Sequence, residues 1–381
     1  MATDLEVTRI RAGILPLVDA APLVVAAREG FARAEGLELE ISVETSWSAL
    51  RDKVSVGLLD CAAMLAPMPL AASLGAAHFK VPTIVPMSLS LNGNAITVSN
   101  ALFEEMLEAD PRAASGGPFD RARAVAAAAR ARSASGREPV TFAMVFPFSA
   151  HNLELRHWLK KGGARPDEDI RLIVIPPPMV AESLKAGLID GYCVGEPWNQ
   201  LAVSQGYGRV VVTKAELWPN GPEKVLGVPA AWAEQHPHSL SALLRALAQA
   251  ARWADAKENQ TRLAGLMADP SILGISSNLI EYILGAGSST FDRPNRPTFH
   301  AEHAIFPWRS HAAWFLSQMK LWGQIDKSTN VRATAEAVYR PDLLRSALGP
   351  KAALPESDWR VEGEGRHDFF GDETFDPLGT A

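Results

Sequence analysis

The sequence predicts an α/β protein of two lobes around a ligand cleft. Strand and helix signals alternate through the first hundred residues, an Ala/Arg-rich segment interrupts them, and the alternation then resumes. Alternating elements imply parallel strands joined by right-handed helical crossovers. A chain that starts one such unit, builds a second and returns to the first crosses between the lobes twice. The cleft left between them is the expected place for a small ligand. Residues 1–99 and 196–381 are expected to form lobe I, with a helical carboxy-terminal part, and residues 100–195 lobe II.

In lobe I, VTRIRAGILP reads as a strand and DAAPLVVAAREGFARAEG as a helix stopped at Gly36. LELEISVE alternates apolar and polar residues, the pattern of a half-buried strand. WSALRDKVSVGLLD then gives an amphipathic helix, CAAMLA a strand and PLAASLGA another helix. NGNAITVSN supplies turn residues followed by a strand. Beyond Asp110, RARAVAAAARARS has arginines without interleaved aromatics, so a solvated surface helix fits better than an RNA-binding one.

The rhythm returns with TFAMVF, an apolar run without helical period that reads as a buried strand. Pro147 ends it, Ser149 is a natural N-cap, and His151, Leu155 and Trp158 share one face of the next helix. IRLIVIP, MVAESLKAGLID and GYCVG complete lobe II. RVVVT, KVLGV and the long helix SLSALLRALAQAARWADAKENQ follow.

The chain has 381 residues, 47% of them hydrophobic, and a net charge of −6, so it lacks the global basic excess of a dedicated nucleic-acid binder. Its two cysteines, Cys61 and Cys193, lie in apolar stretches and read as buried thiols. The run CAAMLAPMPLAASLGAA is broken by Pro67 and Pro69 and gives no membrane span. MATDLEVTRI lacks the basic-then-apolar pattern of a secretory signal. Taken as a natural start, it implies a cytoplasmic protein.

Catalytic motifs are sparse. There is neither a phosphate-binding P-loop nor a G-x-S-x-G elbow, and LGAGSST follows a helical segment, which argues against a dinucleotide fingerprint. His300, Glu302 and His303 lack a third convergent metal ligand and fit an exposed polar turn. Glu196, at a strand end in VGEPW, is best read as a structural acceptor tying the crossover strands. Lys214 and Lys224 bracket ELWPNGPEKVLG, and Lys224 stands where a cation could reach the cleft. Trp47 offers an apolar wall and one N–H donor. His151 starts a helix whose free amides attract anions. It is either an anion donor or a packed core histidine.

DAAPLVVAAREGFARAEGLELEI, SWSALRDKVSVGLLDCAAMLAPMPLA, NGNAITVSN, FAMVFPFSAHNLELRHWL, VIPPPMVAESLKAGLIDGYCVGEPWN, PEKVLG and FPWRSHAAWFLSQMKLWG occur in this order, and the chain closes on FDP. Together they resemble the NrtA/CmpA-type nitrate/bicarbonate-binding proteins. The resemblance implies a type II periplasmic-binding-protein fold closing on an oxyanion, with no catalysis, cofactor or metal. It also implies that Trp47, Asn92 or Asn94, His151 and Lys224 surround the ligand. Bicarbonate proteins tend to carry an acid at the position of Lys224, linked to a metal ion. A lysine suits a weakly basic, always-anionic ligand, so nitrate or nitrite is expected over bicarbonate.

Anion binding should raise the pKa of His151 and tighten binding at mildly acidic pH. With a cytoplasmic address, the resemblance points to the NasS-type nitrate/nitrite sensor, which holds an ANTAR-domain antiterminator (NasT-like) and releases it on ligand binding. The alternatives are a substrate-binding protein of a nitrate or bicarbonate transporter and an enzyme of the pyrimidine-precursor synthase branch. The latter calls for a histidine- and cysteine-rich segment that the sequence lacks.

Overall fold

The computed structural model describes residues 4–76, 80–285, 295–364 and 369–379. Its strands are β1 (Arg9–Ile14), β2 (Glu38–Val43), β3 (Cys61–Leu65), β4 (Thr83–Leu91), β5 (Asn94–Ser99), β6 (Thr141–Met144), β7 (Arg171–Val174), β8 (Gly191–Gly195), β9 (Gly208–Thr213) and β10 (Pro222–Pro229). They form two five-stranded sheets, ordered β2-β1-β3-β10-β4 and β7-β6-β8-β5-β9.

Within each lobe the strands joined by helical crossovers are parallel: β1 with β2 and β3, β6 with β7 and β8. The strands that follow a crossing are antiparallel to their neighbours. Thus β5 inserts between β8 and β9, and β10 between β3 and β4. Each enters its sheet from the other lobe and runs against the strands already there. The sheets are therefore mixed, not purely parallel.

These pairings move the lobe boundaries. β5 and β9 belong to the second sheet, so lobe II runs from Asn94 to Thr213 and not from 100 to 195. The crossings fall at Asn92–Gly93 and in the segment before β10. Local composition marks elements, whereas a strand's partner across the sheet decides its lobe.

Two further readings change. TIVPMSLSL carries no strand assignment in the sequence reading, yet β4 is buried at all nine positions. Its internal Pro86 is tolerated because β4 lies at the sheet edge. The Ala/Arg-rich helix, Pro118–Ala134, is packed and not a solvated surface helix. Ala122, Ala124, Val125, Ala126, Ala128 and Ala129 are buried, and Arg132 is held by Glu105 and Asp190, each at 2.7 Å. Small residues let this helix approach closely. A Cβ on Gly162 would lie 2.4 Å from the Ala122 carbonyl carbon.

The long helix Pro237–Asp255 covers lobe I through Leu240, Leu243, Leu244 and Leu247, packed with Ile10 and Val24. The last segments serve both lobes. Trp314 stacks on Phe370 at 5.4 Å and lies 4.8 Å from Trp218, in one core with Phe142 and Trp158 of lobe II. Cys61 and Cys193 are free and buried. No described helix is long and apolar enough to cross a membrane.

Candidate functional site

Most of the polar residues between the lobes sit just beyond the carboxy ends of strands, where the following helix or turn presents its first residues. Such strand ends are where open α/β sheets bind ligands. After β1 comes Asp19, in the short 3-10 helix Val18–Ala20. After β2, Ser46 caps the helix Trp47–Ser55 by accepting from Ala49 N at 3.2 Å, which makes Trp47 its first residue. After β6, Ser149 accepts from Asn152 N at 2.9 Å and starts the helix Ala150–Lys161, placing His151 in its first turn. Gly195 ends β8. Lys224 and Glu223 lie in β10, which returns from lobe II to lobe I.

Lys224 Nζ donates to Asp19 Oδ2 and to Glu223 Oε1, each at 2.7 Å. The same Glu223 oxygen pairs with His151 Nε2 from the other lobe. Glu223 Oε2 accepts from Asn94 Nδ2 at 2.7 Å and from Lys214 Nζ at 3.1 Å. Lys214 Nζ also donates to Glu154 Oε1 at 2.5 Å and to the Pro222 carbonyl at 2.6 Å. Glu223 thus joins the lobes. All of these side chains are buried.

Burial dominates the electrostatics. It pushes Asp19 up to about 6 and Glu154 up to about 7, against the pull of Lys224 and Lys214 respectively. For both lysines burial opposes the charge, but their carboxylate partners win and hold the ammonium forms above the usual lysine range. For Glu223 burial is outweighed by His151, Lys224 and Lys214, which keep it ionised well below the usual carboxylate range. His151 shifts the other way: burial outweighs Glu223 and favours the neutral ring.

Two buried donor-capable atoms here have no hydrogen-bond partner among the described residues: Trp47 Nε1 and His151 Nδ1. A buried polar group without a partner costs about 1–3 kcal/mol, so both atoms mark places where a ligand atom would be favoured. Lys224 Nζ lies 5.5 Å from the centre of the Trp47 ring. Gly195 leaves room beside it: a Cβ there would sit 3.1 Å from Asp19 Oδ2 and 3.9 Å from Lys224 Nζ. On the lobe seam, Ser48 and Arg51 of one lobe and Phe146, Pro147, Phe148 and Val174 of the other border a cavity of about 300 Å³.

Among the sequence-selected residues, Trp47, His151 and Lys224 come together in this cluster. The two asparagines part company. Asn94 reaches Glu223 and, at 3.3 Å, Glu154 Oε2. Asn92, with φ +59°, exchanges hydrogen bonds with Asn220 at 3.0 and 3.3 Å and braces the crossing segments. Lys224 is not the bare cation its sequence position suggested, because two carboxylates already share it. Asp19, Glu154, Gly195 and Glu223 carried no signal: an isolated acid or glycine in an α/β chain is ordinary until the fold gathers it.

Glu196 is structural, but its backbone and not its carboxylate ties the crossing segments, because the carboxylate is taken up by the helix that follows. Its backbone N–H donates to Gly93 O at 2.9 Å, its carbonyl accepts from Val18 N at 2.9 Å, and its Oε2 accepts from Gln200 N at 3.2 Å. His300 and His303 flank a turn and line a separate cavity with Arg245, Arg252 and Lys351. No described group of three or more His, Cys, Asp or Glu could hold a metal ion. Of LGAGSST, residues 286–290 lie outside the described residues.

We expect Trp47→Phe, which keeps the ring wall and removes the donor, to weaken anion binding about tenfold while leaving the fold intact. Calorimetric titration beside a thermal melt checks both; unchanged affinity would take the indole out of the site.

A model of the NMT1-like family matches residues 3–268. The nitrate/nitrite binding protein NrtA of Nostoc sp. (strain PCC 7120) is 31% identical over 391 residues, covering 99% of this chain and 84% of that protein. The nitrate import ATP-binding protein NrtC of Synechocystis sp. is 37% identical over 355 residues, and the chain spans about 50% of that relative's length. The crystal structure of the periplasmic nitrate-binding protein NrtA from Synechocystis PCC 6803 superposes with a TM-score of 0.87 at 30% identity, over 98% of this chain and 97% of that one. The aliphatic sulphonate binding protein SsuA of Escherichia coli shares the fold at 15% identity and a TM-score of 0.61, over 89% of this chain and 99% of that one. The two lobes, their mixed sheets and these relatives agree: the chain has the periplasmic-binding-protein fold and belongs to the NMT1-like family, with the NrtA nitrate-binding proteins as near-full-length relatives.

Proposed function

We propose that the protein binds nitrate or nitrite between its lobes, without turning it over, as the substrate-binding component of an import system. The observation that carries this is the pair of orphaned buried atoms, Trp47 Nε1 and His151 Nδ1, beside Lys224 in an interlobe constellation. A small planar anion is a chemical match for an indole N–H, an ammonium group and an imidazole nitrogen that donates once protonated. Every side chain of the constellation is buried, so the lobes must part to admit the ligand. The relatives named for nitrate binding and nitrate import favour the transport reading over a regulatory one.

The test is calorimetric titration of the dialysed protein with nitrate, with nitrite and bicarbonate as comparators. Saturable heat with nitrate or nitrite and weak or absent heat with bicarbonate is the expected result. No heat with nitrate or nitrite overturns the reading. His151→Ala should weaken nitrate binding by about tenfold to a hundredfold, the size of a charged hydrogen bond.

The cytoplasmic regulator expected from the sequence rests on the same pocket and differs in what the protein touches. In that reading the closed, ligand-bound form releases an ANTAR-domain antiterminator. By linkage the partner must then weaken nitrate affinity by the factor with which nitrate weakens the partner. Capture of such a partner only without nitrate would favour the regulator. Equal capture in both conditions, or none, leaves transport as the function of the pocket.

A further inference from the structure

We propose that the anion is bound together with one proton, held on the His151 imidazole between Glu223 and the ligand, and that Glu223 is the positioning residue that makes this possible. This rests on the nitrate/nitrite reading above and deepens it.

The geometry comes first. Glu223 Oε1 engages His151 Nε2, while its other oxygen is held by Asn94 and Lys214, so the carboxylate cannot turn away from the ring. An ionised carboxylate only accepts, and therefore Nε2 carries a hydrogen. In the neutral ring the opposite nitrogen, Nδ1, then carries a lone pair. That atom is buried and unpartnered. Nitrate and nitrite present only acceptor oxygens, and a lone pair facing an oxygen repels. The contact becomes a hydrogen bond only when Nδ1 is also protonated.

The charge balance leads to the same place. The groups facing His151 are Glu223 and Lys224 from β10, Lys214 at the start of the short helix Lys214–Leu217 after β9, Glu154 one turn along its own helix, and Asp19 beyond Lys224. Above the raised values of Asp19 and Glu154, three carboxylates thus meet two ammonium groups in a site closed to solvent. A further anion would deepen the negative excess, and an imidazolium offsets it. Without ligand, burial keeps the ring neutral. The proton is therefore drawn from solvent as the anion enters. Bicarbonate differs, because its O–H can donate to the neutral Nδ1. Proton uptake thus separates the two ligand classes.

The sign follows directly. Below the ligand-free pKa of His151 the ring is already charged and affinity is flat. Above that value, and up to the raised pKa of the complex, affinity falls by up to tenfold per pH unit. The test is titration of the full chain with nitrate at about pH 7.5 in buffers of low and high ionisation enthalpy, such as phosphate and Tris. The expected result is uptake approaching one proton per nitrate, with little uptake for any bicarbonate that binds.

In the same samples, nitrogen-15 NMR of labelled histidine should show one ring change from neutral to cationic as nitrate is added. This readout needs no variant and so survives any folding defect. Glu223→Gln should reduce the uptake, and His151→Gln should abolish it. Saturable nitrate binding without proton uptake overturns the proposal. So does uptake that persists in His151→Gln, since the proton would then sit on Asp19 or Glu154. No nitrate or nitrite binding at all removes the ligand reading itself, a distinguishable failure.

Discussion

Lys224→Ala is expected to reduce nitrate affinity on the order of a hundredfold or more and, separately, to lower the stability of the ligand-free protein by about 3–5 kcal/mol. The two losses share one cause. Lys224 Nζ sits between Asp19 and Glu223 at 2.7 Å from each, fully buried and beside the Trp47 ring. Removing it takes a donor from the ligand and leaves two buried carboxylates facing each other. The hole left by the side chain adds to the cost. Titration measures the first effect and urea unfolding without ligand the second. Wild-type affinity in a folded Lys224→Ala protein would move the anion site elsewhere.

Lys214→Met should produce the opposite balance. Stability should fall by about 3–5 kcal/mol, whereas nitrate affinity per folded molecule should change by less than about tenfold. Lys214 lies behind Glu223, bound to Glu154 Oε1, Glu223 Oε2 and the Pro222 carbonyl, and is one step removed from the orphaned donors. Its loss strands Glu154, which keeps Asn94 at 3.3 Å but no counter-charge, whereas Glu223 still holds Lys224, His151 and Asn94.

The penalty should depend on pH in a set direction. Burial pushes Glu154 up to about 7 even with Lys214 beside it, so without that lysine the carboxyl rises further, and as pH falls it takes a proton and the stranded charge disappears. The variant should therefore be closer to wild type at about pH 6 than at about pH 8. Adding Glu154→Gln should recover at least about 1 kcal/mol, because it removes the unpaired charge while keeping the shape. A double variant no more stable than the single one would show that the pair is not coupled.

Much of the architecture was open to reading in the sequence because its cause is local. The apolar runs TFAMVF and CAAMLA, the alternation in LELEISVE and the caps Ser46 and Ser149 act over a few residues, and the strands and helices appear where these signals place them. β4 escaped because Pro86 argues against a strand unless the strand is known to lie at an edge. The Ala/Arg-rich helix was misjudged because alanine is compatible with both solvent and close packing. Only its neighbours decide which.

The site divides in the same way. Trp47, His151 and Lys224 were within reach because each belongs to a recognisable segment, and the fold brings all three together. Which asparagine joins them was not legible. Asn92 and Asn94 are two residues apart, yet one faces Asn220 across the crossing and the other the buried carboxylates.

By itself, then, the sequence determined the kinds of elements and their order, since propensity, periodicity and capping are short-range, and its resemblance to the nitrate/bicarbonate-binding proteins singled out three of the groups that meet between the lobes. Only the tertiary structure decided that β5 and β10 enter their sheets from the opposite lobe, and that Glu223 joins Lys224 to His151. It also decided that Asp19, Glu154 and Lys214 surround them in a dry interior. A buried charge is tolerable only beside its counter-charge. Those counter-charges come from positions up to 205 residues apart in the chain.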